Sequence, residues 1–167
     1  MRKFLTLQDA FETLAGEKKW DRTFEAIHTA FPYTAAEAHL ETQPTASAIN
    51  PLIFPGVTYS VGDSLTWRII TQTDSETDLE RSHRYLRVFY CHAGEINIHL
   101  ATNFAPKTKY SDLSDRQYVT GTAEINTLKA GEILFCEITE ATQLHPQPES
   151  LGVALRVTVE GRSFHNK

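Results

Sequence analysis

One segment of the sequence concentrates side chains that suit recognition of a small polar molecule. It reads Glu80-Arg81-Ser82-His83-Arg84-Tyr85-Leu86-Arg87-Val88-Phe89-Tyr90. Side chains alternate between the two faces of a strand, so Tyr85, Arg87 and Phe89 share one face of the predicted strand. Aromatic rings stack on the C–H faces of a sugar, while guanidinium and carboxylate groups hydrogen-bond its hydroxyls. The segment therefore predicts a sugar pocket; a solvated strand face is the alternative.

Carboxylates near a later strand add to this hypothesis. Glu132, Glu137 and Glu140 lie on or beside the predicted strand 132–138, and paired carboxylates perform acid–base chemistry in glycosidases. A chain of 167 residues lacks the bulk of a glycosidase catalytic domain, so catalytic residues stay unassigned. We expect a pocket where strand 84–91 faces strands 132–138 and 152–160. Its candidate residues are Glu80, His83, Arg84, Tyr85, Arg87, Glu137, Glu140 and Arg156.

Seven histidines raise a metal hypothesis. A metal site on a strand commonly uses His-x-His, because alternate residues share a face, and the sequence has no such pair. We therefore expect surface or hydrogen-bonded histidines, no metal and no cofactor; a weak metal site assembled from distant strands is the alternative. Cys91 and Cys136 lie in apolar runs and are predicted to be buried, reduced thiols. Walker, Rossmann, Gly-x-Ser-x-Gly and Cys-x-x-Cys motifs are missing from the sequence.

The secondary-structure elements that must position these residues are expected to form one domain. It has three parts: a helical N-terminal part (1–56), a β-sandwich (57–160) and a C-terminal tail (161–167). Thr6 is a predicted N-cap and Gly16 a helix stop. A second helix is expected from Asp21 to Pro32, a third over 34–40, and a loop over 42–56. The predicted strands are 57–61, 65–72, 84–91, 95–101, 122–128, 132–138 and 152–160. Strands at this spacing predict a mainly β fold, a jelly roll or β-sandwich with N-terminal helices.

The composition of the chain argues against nucleic acid and membranes as binding partners. The net charge of -5 and the lack of a Lys/Arg run argue against nucleic acid. Polar residues interrupt the first residues before a signal-peptide core forms, and no segment has the apolar length of a membrane span. A cytoplasmic protein without membrane contact is the expectation.

Several segments resemble the small (beta) subunit of evolved bacterial beta-galactosidase, within the wider YhcH/YjgK/YiaL family. They cover most of the chain except about residues 33–55, which read as an insertion. The matching segments are Gly16-Glu17-Lys18-Lys19-Trp20-Asp21-Arg22, Ser60-Val61-Gly62-Asp63-Ser64-Leu65-Thr66-Trp67-Arg68, Tyr110-Ser111-Asp112-Leu113-Ser114-Asp115-Arg116-Gln117-Tyr118, Gly131-Glu132-Ile133-Leu134-Phe135-Cys136-Glu137-Ile138-Thr139-Glu140-Ala141 and Phe164-His165-Asn166-Lys167.

The resemblance implies a cupin-like fold and a role in carbohydrate metabolism. It implies an accessory beta subunit that joins a large catalytic beta-galactosidase subunit and supports its full activity, forming a homo-oligomer when isolated. A sugar anomerase (mutarotase) and a stand-alone sugar-binding regulator are the alternatives. The shared ending predicts that Phe164 anchors the tail at a subunit interface, with His165 at its rim; a frayed end is the alternative.

Three positions depart from the family pattern. Ser82 falls where the family has a histidine, and His83 is displaced by one residue, which reverses the side-chain face on a strand. Arg87 falls where the family often has a carboxylate, and Thr142 where it often has a histidine. Because hydroxyls are poor substitutes for imidazole ligands, a cupin-type metal site is not expected here.

Overall fold

The computed structural model describes residues 1–32, 49–62 and 64–159 of the chain. Helix α1 spans Leu7–Leu14 and helix α2 spans Lys18–Ala30. The Thr6 hydroxyl accepts a hydrogen bond from the Asp9 backbone N–H at 3.0 Å, as its role of N-cap requires. Gly16 ends α1 with a φ of +101°, a conformation that favours glycine.

Helix α2 begins three residues before the predicted start at Asp21. The helix continues backward from Asp21 because Trp20 is buried, and Asp21 then lies in the first turn, where the helix dipole favours a carboxylate. The predicted apolar stripe of Trp20, Phe24, Ile27 and Phe31 is buried throughout. The predicted third helix lies outside the described residues.

Twelve strands in two antiparallel sheets make up most of the rest of the described residues, together with loops and the short 3-10 helix Gln72–Asp74. They are β1 Arg2–Phe4, β2 Tyr59–Val61, β3 Leu65–Thr71, β4 Leu79–Arg81, β5 Tyr85–Ala93, β6 Glu95–Ala101, β7 Ala105–Pro106, β8 Gln117–Thr120, β9 Glu124–Lys129, β10 Ile133–Cys136, β11 Ala141–Pro146 and β12 Leu151–Thr158. The first sheet has the order β1-β10-β5-β12-β3-β2, and the second has the order β7-β8-β4-β11-β6-β9.

The pairing of the strands is nested. Strand β3 pairs with β12, β4 with β11, β5 with β10, and β6 with β9. Nested antiparallel pairs folded into two sheets make an eight-stranded jelly roll, the architecture of cupins. The chain is therefore a mainly β, cupin-like jelly roll with N-terminal helices, as the sequence predicts.

Two apolar layers hold the domain together. One contains Ile27 of α2 with Val88 and Leu155 of the first sheet, so the helices cover the outer face of that sheet. The other contains Phe89 of the first sheet and Ile98 of the second, so it lies between the sheets. Residues on β5 alternate between the two layers, as the predicted face assignment requires. The interior of the jelly roll is apolar at one end, which leaves the other end to polar side chains.

Five strands were not predicted: β1, β4, β7, β8 and β11. They are short or carry polar residues on both faces, as in the β11 sequence Ala-Thr-Gln-Leu-His-Pro. Their absence from the prediction matters because β4 and β11 form one wall of the polar end. Within the described ranges, no helix is long and apolar enough to cross a bilayer.

Candidate functional site

Alternate positions on three adjacent strands place basic side chains inside the jelly roll. Arg68 lies on β3, Arg87 on β5 and Arg156 on β12, and the registers align Arg156 with Arg87 and Arg68 with Ala154. Residues next to them, such as Trp67 and Leu155, pack in the outer apolar layer beneath the helices. Strand alternation therefore directs the three guanidiniums toward the second sheet.

Arg87 is the centre of this polar end. Its guanidinium donates to both carboxylate oxygens of Glu76, at 3.0 and 2.9 Å, and to the Thr142 hydroxyl at 3.0 Å. It also lies 3.2 Å from the Glu80 carboxylate. Burial alone would lower the pKa of Arg87, but the charges of Glu76 and Glu80 outweigh it and raise the pKa. Arg87 is therefore a permanent cation held in a fixed orientation.

Glu80 is shared among three guanidiniums. Besides Arg87, its carboxylate accepts a hydrogen bond from Arg156 and lies 4.0 Å from the Arg116 side chain. Burial favours the neutral form of Glu80, but the nearby charges of Arg87 and Arg156 prevail and hold its pKa well below its usual range. Glu80 is therefore ionised at neutral pH and acts as an electrostatic anchor.

A cavity of about 200 Å³ opens beside this network. Its lining residues are Thr58, Thr66, Trp67, Arg68, Glu76, Arg87, Arg116, Ala154, Leu155 and Arg156. Drug-sized ligands use pockets of about 300–1,000 Å³, so this one matches a small ligand such as a single sugar unit. Guanidinium, carboxylate and hydroxyl groups on its walls offer both donors and acceptors.

A second, much smaller pocket also borders Arg87. It has about 10 Å³ of space and is lined by Glu80, Ser82, Tyr85, Arg87, Cys136, Glu137, Ile138, Glu140 and Thr142. A space of this size is close to the minimum for one water molecule. The small pocket therefore does not take a sugar, and the residues found only there stand apart from the 200 Å³ cavity.

The predicted pocket residues separate into groups in the structure. Glu80, Arg87 and Arg156 come together in the network, and Arg87 and Arg156 line the larger cavity. Tyr85, Glu137 and Glu140 line the small pocket. The Glu140 carboxylate accepts from the Glu137 backbone N–H at 2.8 Å and lies 2.9 Å from the Met1 amino group, so it closes a turn.

His83 and Arg84 belong to a different cluster. The exposed His83 ring stacks on Tyr110 with centroids 3.9 Å apart, and Arg84 lies 3.7 Å from the buried Asp115 carboxylate. Asp115 accepts backbone hydrogen bonds from His83, Arg84 and Tyr85 at 2.9, 3.1 and 3.2 Å, and from the Tyr110 hydroxyl at 2.5 Å. This cluster fixes the entry into β5. The predicted interface residues, Phe164 and His165, lie outside the described residues.

The expected position of the pocket needs one correction. Strand β5 does not face β10 and β12; it lies between them in the same sheet. The opposite wall comes from the second sheet, where Glu80 on β4 pairs with Thr142 on β11. The prediction lacked β4 and β11, so it assigned the facing role to strands that are lateral neighbours.

Three charged residues of the cavity were not identified from the sequence: Arg68, Glu76 and Arg116. Arg68 carries a usable signal, because it is a charged residue at an alternating position of the apolar strand Leu65–Thr71, as Arg156 is on its own strand. Arg116 lies within one of the segments that carry the family resemblance. Glu76 lies in a loop, where no periodicity marks it.

The residues at the polar end do not fit a cupin-type divalent metal site. The Ser82 hydroxyl is 3.3 Å from the Arg156 guanidinium, and the Thr142 hydroxyl accepts from Arg87. Glu80 is held by the guanidiniums of Arg87 and Arg156, whose charges repel a further cation. His99 and His145 do approach, with ring centroids 4.3 Å apart on neighbouring strands, a pairing that only the register reveals. Among the described residues, no group of three His, Cys, Asp or Glu side chains is placed to hold a metal.

No family model matches the chain. Several solved structures resemble the chain in backbone fold. One is the hydroquinone 1,2-dioxygenase PnpCD in complex with Cd²⁺ and 4-hydroxybenzonitrile, with 14% identity, coverage of 66% of this chain and 67% of that chain, and a TM-score of 0.44. Another is the Lactobacillus farciminis oxalate decarboxylase formate complex, with 8% identity, coverage of 75% and 39%, and a TM-score of 0.39. A third is the Drosophila melanogaster CENP-C cupin domain, with 5% identity, coverage of 87% and 99%, and a TM-score of 0.39. Likenesses at this level carry no inference about ligand or activity, and the fold assignment stands on strand order and register.

Proposed function

We propose that this chain is a sugar-binding accessory subunit that works with a large beta-galactosidase chain in carbohydrate metabolism. The observation that carries the sugar part is the 200 Å³ cavity, whose walls combine guanidinium, carboxylate and hydroxyl groups. Sugars present many hydroxyls that both donate and accept, and such mixed walls satisfy them. The partner is proposed from the sequence resemblance alone.

An accessory role fits the chemistry of this polar end better than catalysis within the chain. Anomerisation needs an acid and a base that exchange protons near neutral pH. Glu80 is ionised and occupied by guanidiniums, which makes it a weak base, and Arg87 keeps its proton. The other candidate pocket residues that could exchange a proton, His83, Tyr85, Glu137 and Glu140, do not line the 200 Å³ cavity. Binding without chemistry is therefore the simpler use of this site.

Co-expression with the large beta-galactosidase chain of the same source tests the proposal. The two chains are expected to co-purify, and the complex is expected to hydrolyse lactose faster than the large chain alone. A variant lacking residues 164–167 is expected to stay folded but to assemble more weakly, since the Phe164 anchor is part of the proposal. If the large chain neither co-purifies with this subunit nor hydrolyses lactose faster in its presence, the partnership is refuted.

A further inference from the structure

The cavity has more positive than negative charge around it. Four guanidiniums line it, those of Arg68, Arg87, Arg116 and Arg156. Three carboxylates contact these guanidiniums: Glu76 and Glu80, and Asp74, which lies 3.3 Å from Arg68. Four positive charges against three negative ones leave an excess of one. In a partly enclosed space an uncompensated charge attracts a ligand of opposite sign.

The four arginines do not play equal parts. Arg87 is saturated by Glu76, Glu80 and Thr142, and its side chain is only 7% exposed. Arg68, Arg116 and Arg156 are 32%, 43% and 19% exposed, so they keep donors that reach the cavity. Arg87 therefore organises the site, and the other three guanidiniums are available to a ligand.

The single charge of Glu80 is divided among Arg87, Arg116 and Arg156. Burial and the neighbouring charge of Arg87 together lower the pKa of Arg156 to about 10, although Glu80 acts in the opposite direction. A cation in this position gains from an additional anion, because the anion relieves repulsion between guanidiniums as well as forming charge-assisted hydrogen bonds.

We propose that the cavity binds the acidic group, carboxylate or phosphate, of a small sugar-derived ligand through Arg68, Arg116 and Arg156. This inference deepens the proposed function and rests on it for the sugar part of the ligand. The planar donor forks of arginine match both carboxylate and phosphate oxygens. The acidic group completes the charge balance of the cavity, and the neutral part of the ligand contacts the lining residues Thr58 and Thr66.

Isothermal titration calorimetry at low salt tests the inference with four probes: galactose, galacturonate, galactose 6-phosphate and inorganic phosphate. At least one charged sugar is expected to bind about tenfold or more tightly than galactose, and its affinity is expected to fall with added salt. Galacturonate and galactose 6-phosphate separate a carboxylate from a phosphate ligand, and inorganic phosphate measures the contribution of the anion alone.

Variants assign the effect to the cavity. Arg116→Gln is expected to weaken binding of the charged sugar by about tenfold and to weaken binding of galactose by a smaller factor. Arg22→Gln is the matched control, because Arg22 lies on α2, donates to Ser64 at 2.8 Å and does not line the cavity. Thermal melting of both variants shows whether they are folded.

The outcomes separate this inference from the proposed function. Equal affinity for galactose and both charged sugars, or equal effects of the Arg116 and Arg22 variants, overturns the anion site while leaving the accessory subunit intact. Binding of the charged sugars with no assembly on the large chain supports the anion site and refutes the partnership.

Discussion

Removing the charge of Arg87 should expose how the polar end is held together. The variant Arg87→Met keeps a long, unbranched side chain at this position but removes the cation that bridges Glu76 and Glu80. Glu80 retains Arg156 as a partner. Glu76 loses Arg87, its only ion-pair partner among the described residues. The penalty therefore falls mainly on the Glu76 carboxylate, which stays partly buried.

The size of the effect follows from burial. Breaking a buried ion pair by removing one partner costs about 3–5 kcal/mol. The Glu76 side chain is 20% exposed and still accepts from the Leu144 backbone N–H at 2.8 Å, which favours the lower end, about 3 kcal/mol. For a domain of this size that corresponds to a fall in Tm of about 6–12 °C.

Urea denaturation followed by circular dichroism gives the measurement, in a double-mutant cycle with Glu76→Gln. The double variant is expected to be less destabilised than the sum of the two single variants, because neutralising both partners leaves no unpaired charge. A cost below about 1 kcal/mol for Arg87→Met, or strict additivity in the cycle, would refute the view that this ion pair organises the site.

Three further predictions concern residues outside the cavity, and a fourth concerns metal. Burial lowers the pKa of His92 to about 4, below its value in the unfolded chain. The neutral imidazole therefore makes its full contribution to the free energy of unfolding above about pH 6.5, and about 3 kcal/mol of that contribution is lost as the pH drops toward 4. Urea titrations across this range should show a smaller loss for His92→Asn and an unchanged loss for the exposed His28→Asn. Gly152→Ala should cost about 1–3 kcal/mol in the same assay, because its Cβ would lie 2.2 Å from the Tyr90 carbonyl oxygen; a neutral result would mean that the strands separate easily. Asp115→Asn should cost about 2 kcal/mol, since an amide cannot accept all the donors that converge on the carboxylate, and native-like stability would contradict that role. Elemental analysis of protein purified without chelators should find no stoichiometric zinc or nickel, and a metal held by cavity side chains would show that the guanidiniums do not exclude it.

Periodicity predicted the long strands well. Strand β6 has the predicted bounds, 95–101, because its inward residues are apolar and its outward residues are polar. Strand β11 was missed because both of its faces carry polar groups: Thr142 points into the polar end, and His145 pairs with His99. A polar interior removes the alternation on which strand prediction depends.

The site was partly predictable for the same reason. Arg156 was placed correctly on the face opposite its apolar neighbours, because a charged residue at mid-strand is unusual and alternation fixes its direction. Glu76 was not predictable, since its position depends on how a loop folds against β11, where Leu144 donates to its carboxylate. His83 was included because it is close in sequence to the strand, but Asp115 draws that segment to the surface side of the turn.

The central claim is that the cavity beside Arg87 is the sugar site, and arginine side-chain NMR tests it most directly. The Nε–H signals of an ¹⁵N-arginine-labelled sample would be followed during titration with galactose and with galacturonate. We predict saturable shifts at Arg68, Arg116 and Arg156 with at least one of the two sugars, and no shift at Arg22. Saturable shifts confined to arginines outside the cavity, or no saturable shift with either sugar, would contradict the claim.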